Sequence, residues 1–148
     1  ITAAAVEPGV FRGAKCQVDW DDDRIPDGFE WSKSGSLAAI GNGDFDGDGM
    51  ADVVEFAMGT DPLVGDSPWQ ELTLVGNRIE VRSRQRLLPP WLELRLSTSL
   101  NLVGWTDADS TASLTSLVDD LFDRVELLEL PDGIPPRMFF RYRLTDIP

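Results

Sequence analysis

Hydrophobic and polar positions change rhythm once along this chain. From Trp69 onward the period is two: Leu72 and Leu74 alternate up to Gly76-Asn77, and Ile79 and Val81 alternate on the return. That is the pattern of a hairpin closed by a tight glycine-containing turn. Leu92, Leu94 and Leu96 alternate with Glu93 and Arg95, and Val125 and Leu127, with the nearby Leu128 and Leu130, form another run. Met138, Phe140, Tyr142 and Leu144 alternate with Arg137, Phe139, Arg141 and Arg143. Prolines at 89–90, 131 and 135–136, together with Asp132-Gly133, mark the turns. Five to seven short strands in roughly 80 residues predict a small antiparallel β-sandwich. Leu114–Phe122 departs from the rhythm and leaves a short helix open there.

Before Pro68 the alternation is absent. Ala51–Met58 suits a helix of about two turns, with Val53, Val54, Phe56 and Ala57 available for burial, Gly59 placed as its C-cap and Pro62 preventing continuation. Residues 1–18 form an N-terminal segment or strand, 19–66 a loop region and 67–148 the β domain. The expected fold is therefore mainly β: two loops with short helices, then the sandwich.

Charge sharpens the division. Of a formal net charge of −13, residues 19–66 carry −11, from thirteen acidic side chains against Arg24 and Lys33. The acids repeat. Asp19, Asp21, Asp23, Asp27 and Glu30 fall at positions 1, 3, 5, 9 and 12 of one twelve-residue stretch, and Asp44, Asp46, Asp48, Asp52 and Glu55 at the same positions of a second, 25 residues later. The second stretch satisfies the calcium-loop pattern D-x-[DN]-x-[DN]-G-x5-E. Calcium is a hard ion that takes about 6–8 oxygens in a forgiving geometry, which alternate residues of a tight loop supply, whereas magnesium demands a stricter octahedron. Asp44, Asp46 and Asp48 would converge, the Met50 carbonyl would add an oxygen, Asp52 would act directly or through water, and Glu55 would close the shell. Gly49 permits the left-handed backbone at the sharp turn. In the first loop Ile25 would offer the carbonyl, but Arg24 occupies the glycine position, where a side chain is strained by ~1 kcal/mol or more. Arg24 could instead neutralise part of that loop in place of a metal. Without a cation, both stretches would be solvated acidic loops.

A complete EF-hand needs a helix on each side of its loop. Glu7-Pro8-Gly9 through Val18 reads poorly as one, and Gly35, Gly41 and Gly43 interrupt the segment between the loops. Each repeat is thus a loop followed by at most a short helix. Asp23-Arg24-Ile25-Pro26-Asp27-Gly28-Phe29-Glu30, followed by Asp48-Gly49-Met50-Ala51-Asp52-Val53-Val54-Glu55-Phe56-Ala57-Met58-Gly59-Thr60-Asp61-Pro62, resembles bacterial thrombospondin type 3-like calcium repeats, with their closing Gly-Thr-Asp-Pro. The resemblance covers residues 17–66 and implies a calcium-rigidified spacer in a secreted, cell-surface or periplasmic bacterial protein. A dockerin-like docking module is the alternative, which the Gly-Thr-Asp-Pro ending and the position-12 Glu fit less well. Ser97-Thr98-Ser99-Leu100-Asn101-Leu102-Val103-Gly104-Trp105 and the closing Phe139-Phe140-Arg141-Tyr142-Arg143-Leu144 loosely resemble a β-sandwich module that ends many large secreted bacterial proteins, implying an accessory domain without catalysis.

Composition excludes much else. There is no histidine, which removes Ser–His and Cys–His triads, His-bearing zinc sites and proximal-His haem. Cys16 is the single cysteine, so only an intermolecular disulfide is open to it. The negative field opposes nucleic-acid binding, and no apolar run approaches the ~20 residues of a membrane span. The acids follow metal-loop spacing rather than that of a glycosidase pair, so no enzyme is expected. Arg78, Arg82, Arg84 and Arg86 could form a basic stripe on one strand face, and Trp69, Trp91 and Trp105 a sugar-stacking platform. A glycan-binding sandwich, or a structural subunit docked to other domains of a surface assembly, is therefore the rival function.

Overall fold

The computed structural model describes residues 18–118 and 120–148, so Cys16 and almost all of the N-terminal segment lie outside the described residues. Two short helices, α1 (Asp27–Ser34) and α2 (Asp52–Met58), precede seven strands: β1 (Gln70–Val75), β2 (Arg78–Arg86), β3 (Leu92–Ser99), β4 (Thr106–Asp107), β5 (Thr111–Val118), β6 (Leu121–Glu129) and β7 (Phe139–Asp146). The strands form two antiparallel sheets, ordered β1-β2-β6-β5 and β4-β3-β7. The fold is mainly β, as the alternation predicts.

The hairpin expected at Gly76-Asn77 is present, with Leu74 paired to Ile79, Leu72 to Val81 and Gly76 at φ 60°. The helix left open over Leu114–Phe122 is not. Residues 114–118 belong to β5 and Leu121-Phe122 open β6, the two strands pairing with each other. A register shift between Ser116 and Val118 places Leu114, Leu117, Val118 and Leu121 at spacings that mimic a helix. A bulge adds one residue to a strand and so breaks its period of two.

The period-two faces become cores. Ile79, Val81 and Leu128 of one sheet meet Leu96, Phe140 and Tyr142 of the other in a shared apolar cluster. Among these apolar side chains sits the buried Arg124, which bonds Glu126 and Gln85 and donates to the Leu94 carbonyl of the other sheet at 2.9 Å. The boundary drawn near Asp66–Pro68 is crossed by packing. Ile25, Val53 and Phe56 of the loop region form one cluster with Leu92 of β3, flanked by Trp91 and Leu144. Ala57 and Met58 pack similarly on Leu94. The acidic repeats therefore rest on the β domain where β2 ends and β3 begins.

Three contacts fix that seat. Arg86 stacks over Phe29 of α1 and Phe56 of α2, with 4.6 and 5.6 Å to the ring centres. Its Nε donates to the Phe56 carbonyl at 3.0 Å, covering the C-terminal end of α2. The Trp91 indole donates to the Arg24 carbonyl at 2.9 Å.

Candidate metal centre

Both loops are shaped by their own carboxylates. In the first, the Arg24 amide donates to Asp19 Oδ2 at 2.8 Å, Ile25 to Asp23 Oδ1 at 2.9 Å and Trp20 to Asp27 Oδ1 at 2.9 Å. Twenty-five residues later Gly49 donates to Asp44 Oδ2 at 2.9 Å, Met50 to Asp48 Oδ1 at 2.8 Å and Phe45 to Asp52 Oδ1 at 2.9 Å. The Asp27 amide reaches back to the Val18 carbonyl as Asp52 does to Gly43. The backbone repeats too: Asp22 and Arg24 at φ 61° and 83° correspond to Gly47 and Gly49 at 74° and 98°. The sequence repeat is thus a geometric one. Arg24 does adopt the left-handed conformation that its loop position demands, held by the Trp91 bond and an ion pair to Asp146 at 3.5 Å.

The turns bring the acids together. Oxygens of Asp19, Asp21 and Asp27 lie within 4.8 Å of one another, as do those of Asp21, Asp23 and Glu30, and those of Asp44, Asp46 and Asp48. Asp21 belongs to both groups of the first loop, so each of its five predicted acids lies in one of two clusters that share Asp21. In the second loop Asp52 and Glu55 stand outside the Asp44 group. Asp52 is 1% exposed and both of its oxygens are taken, Oδ1 by Phe45 and Oδ2 by the Gly41 amide at 2.9 Å. Asp52 thereby holds the loop closed.

The position-12 glutamates carry the strongest signal. Glu30 and Glu55 are 0% exposed. Neither Glu30 oxygen has a hydrogen-bond partner, nor does Glu55 Oε2, and Asp46 Oδ2 is likewise orphaned. A buried carboxylate without partners is costly unless a cation or a proton compensates it. Burial, then the neighbouring Asp23, Asp21, Asp27 and Asp19, push Glu30 up to about 9. Burial, then Asp46, Asp48, Asp52 and Asp66, push Glu55 up to about 8. Asp23 rises to about 6, chiefly through burial. Asp44 runs the other way, held low first by the Gly49 amide. With no cation these shifts favour the protonated glutamates; a divalent ion at the Asp21, Asp23 and Glu30 group of the first loop would satisfy the Glu30 oxygens instead.

The other candidate surfaces are engaged within the chain. Arg78 pairs with Glu129 and Arg82 with Glu80 and Asp123, while Arg84 lies over the Trp69 ring. Arg86 turns away from the stripe to hold both helices. Trp91 is committed to the first loop and Trp105 is covered by Arg141, 4.1 Å above its ring. Gly41, Arg86 and Trp91 shape the site although no pattern in the sequence marks them, because each acts through contacts distant in the chain. Among the described residues no helix is long and apolar enough to cross a membrane. No protein-family model, no curated protein and no solved structure matches the chain.

Proposed function

We propose that the chain is a non-catalytic calcium-binding module, with one ion in each acidic loop and a β-sandwich whose placement the loops fix. Asp19, Asp21, Asp23, Glu30 and the Ile25 carbonyl would hold the first ion, with Asp27 closing the loop. Asp44, Asp46, Asp48, Glu55 and the Met50 carbonyl would hold the second, with Asp52 closing it. The observation that carries the assignment is the pair of fully buried glutamates, in register in two repeats, with both oxygens of Glu30 and one of Glu55 left without partners. Calcium is favoured over magnesium by the flexible, carboxylate-rich loops. The resemblance to thrombospondin type 3-like repeats agrees, and with it a place in a secreted, cell-surface or periplasmic bacterial protein, where millimolar calcium fills sites of ~10⁻⁴–10⁻³ M affinity.

The physical role is ordering. Metal-free loops repel themselves; calcium neutralises them and tightens the turns that present Ile25, Val53 and Phe56 to Leu92. Stabilisation follows RT ln(1 + [L]/Kd), about 2.7 kcal/mol per site at a hundredfold excess over Kd. The test is thermal melting of the chelator-stripped chain at pH 8 with calcium, with magnesium and with neither. Calcium should raise the melting temperature by several degrees and magnesium much less. Glu30→Gln and Glu55→Gln should each remove at least half of that rise. A rise that both variants retain in full overturns the assignment.

A further inference from the structure

We infer that the two loops bind their ions as a coupled pair, and that Gly41, a residue of neither loop, is the coupling element. The inference rests on the calcium assignment above and adds how one site senses the other.

Gly41 is buried between the loops. A Cβ on it would collide with Asp23 Oδ2 and stand 3.1 Å from the carboxyl carbon, so the buried Asp23 side chain would have to shift. Asp23 is the position-5 acid of the first loop. The Gly41 amide donates to Asp52 Oδ2 at 2.9 Å, and Asp52 is the position-9 acid that closes the second. Asp52 in turn bonds the Phe45 amide and, through its own amide, the Gly43 carbonyl. The strap 41–45 is therefore gripped by Asp52 along one side and pressed against Asp23 on the other. Its neighbour Ile40 is buried, at 3% exposure. Asp21 and Asp23 of the first loop and Asp44 and Asp52 of the second line one cavity of about 520 Å³ against residues 37–43.

The coupling has a sign. An ion in the first loop draws Asp23 onto itself and fixes the wall against which Gly41 sits. That holds the Gly41 amide toward Asp52 and closes the second loop in advance. The second ion then has less chain to order, which gives positive cooperativity without a large change of shape. Reciprocity requires that each loop favour the other by the same factor.

The experiment is calorimetric calcium titration of the full chain and of Glu30→Gln and Glu55→Gln, each of which leaves one loop intact. The product of the two dissociation constants in the native sequence, compared with the product of the two single-loop constants, gives the coupling factor. It should be about 5- to 150-fold in favour of the pair. The same three titrations in a Gly41→Ala background should give a factor near one, since the added methyl forces Asp23 and the strap apart. A factor near one in the native background, with two ions bound, overturns the coupling and leaves the calcium assignment standing, and this comparison holds even where Gly41→Ala fails to fold. An undiminished factor in a folded Gly41→Ala overturns the role of Gly41. The absence of calcium binding in every variant overturns the assignment and the coupling with it.

Discussion

Glu30 and Glu55 sit where a carboxylate has no reason to be unless something positive joins it. In an unfolded chain they titrate near 4.5, whereas folded and metal-free they titrate near 9 and 8. Between those values the folded chain keeps protons that the unfolded chain has released, so metal-free stability falls as pH rises from about 5 to about 9. Calcium bound at the loops would compete with those protons, and its stabilisation should grow over the same range. Urea denaturation at pH 5.5 and pH 8.5 should show stability falling with pH in chelator and nearly constant in saturating calcium. Arg24 makes a second claim at this scale. Its left-handed backbone is strained, and its ion pair with Asp146 joins groups that are 37% and 66% exposed, worth little in water. The Trp91 bond reaches the Arg24 backbone and survives substitution. Arg24→Gly should therefore raise the melting temperature of the metal-free chain, by the equivalent of about 1 kcal/mol or less.

At the scale of elements, what the sequence made legible was what depends on near neighbours. Alternation at Leu72, Leu74, Ile79 and Val81 announces a hairpin because a strand's faces are set two residues apart. The acids at 44, 46, 48, 52 and 55 announce a loop because five of its hydrogen bonds run 2–7 residues along the chain. Ala51–Met58 and Gly59 announce α2 and its left-handed cap, seen at φ 81°. Leu114–Phe122 misled because a bulge near Ser116 imitates helical spacing. Arg86 read as one member of a stripe, yet it joins elements 30 and more residues apart, and no local pattern records such a contact. Its guanidinium stacks on two rings and donates to the Phe56 carbonyl, a geometry that lysine cannot reproduce. Arg86→Lys should lower stability by about 1–3 kcal/mol in urea denaturation and weaken calcium binding at both loops, because α1 and α2 lose their common anchor.

For the whole molecule, the sequence suggests two territories and the packing joins them. Composition divides the chain near Pro68, but Ile25, Val53 and Phe56 share a core with Leu92, and Ala57 and Met58 share another with Leu94. An ion bound at the loops would consequently be coupled to the β domain. The chain should melt in one transition that calcium shifts as a unit, followed in parallel by near-ultraviolet dichroism and calorimetry; a calcium-insensitive second transition would separate the two territories.

The most direct test of the central claim is a count of ions. Equilibrium dialysis of the chelator-stripped chain against millimolar calcium, with elemental analysis of the retained protein, should return two calcium ions per chain, and one in Glu30→Gln or Glu55→Gln. Retention no greater than that of a double Glu30→Gln/Glu55→Gln variant would contradict it.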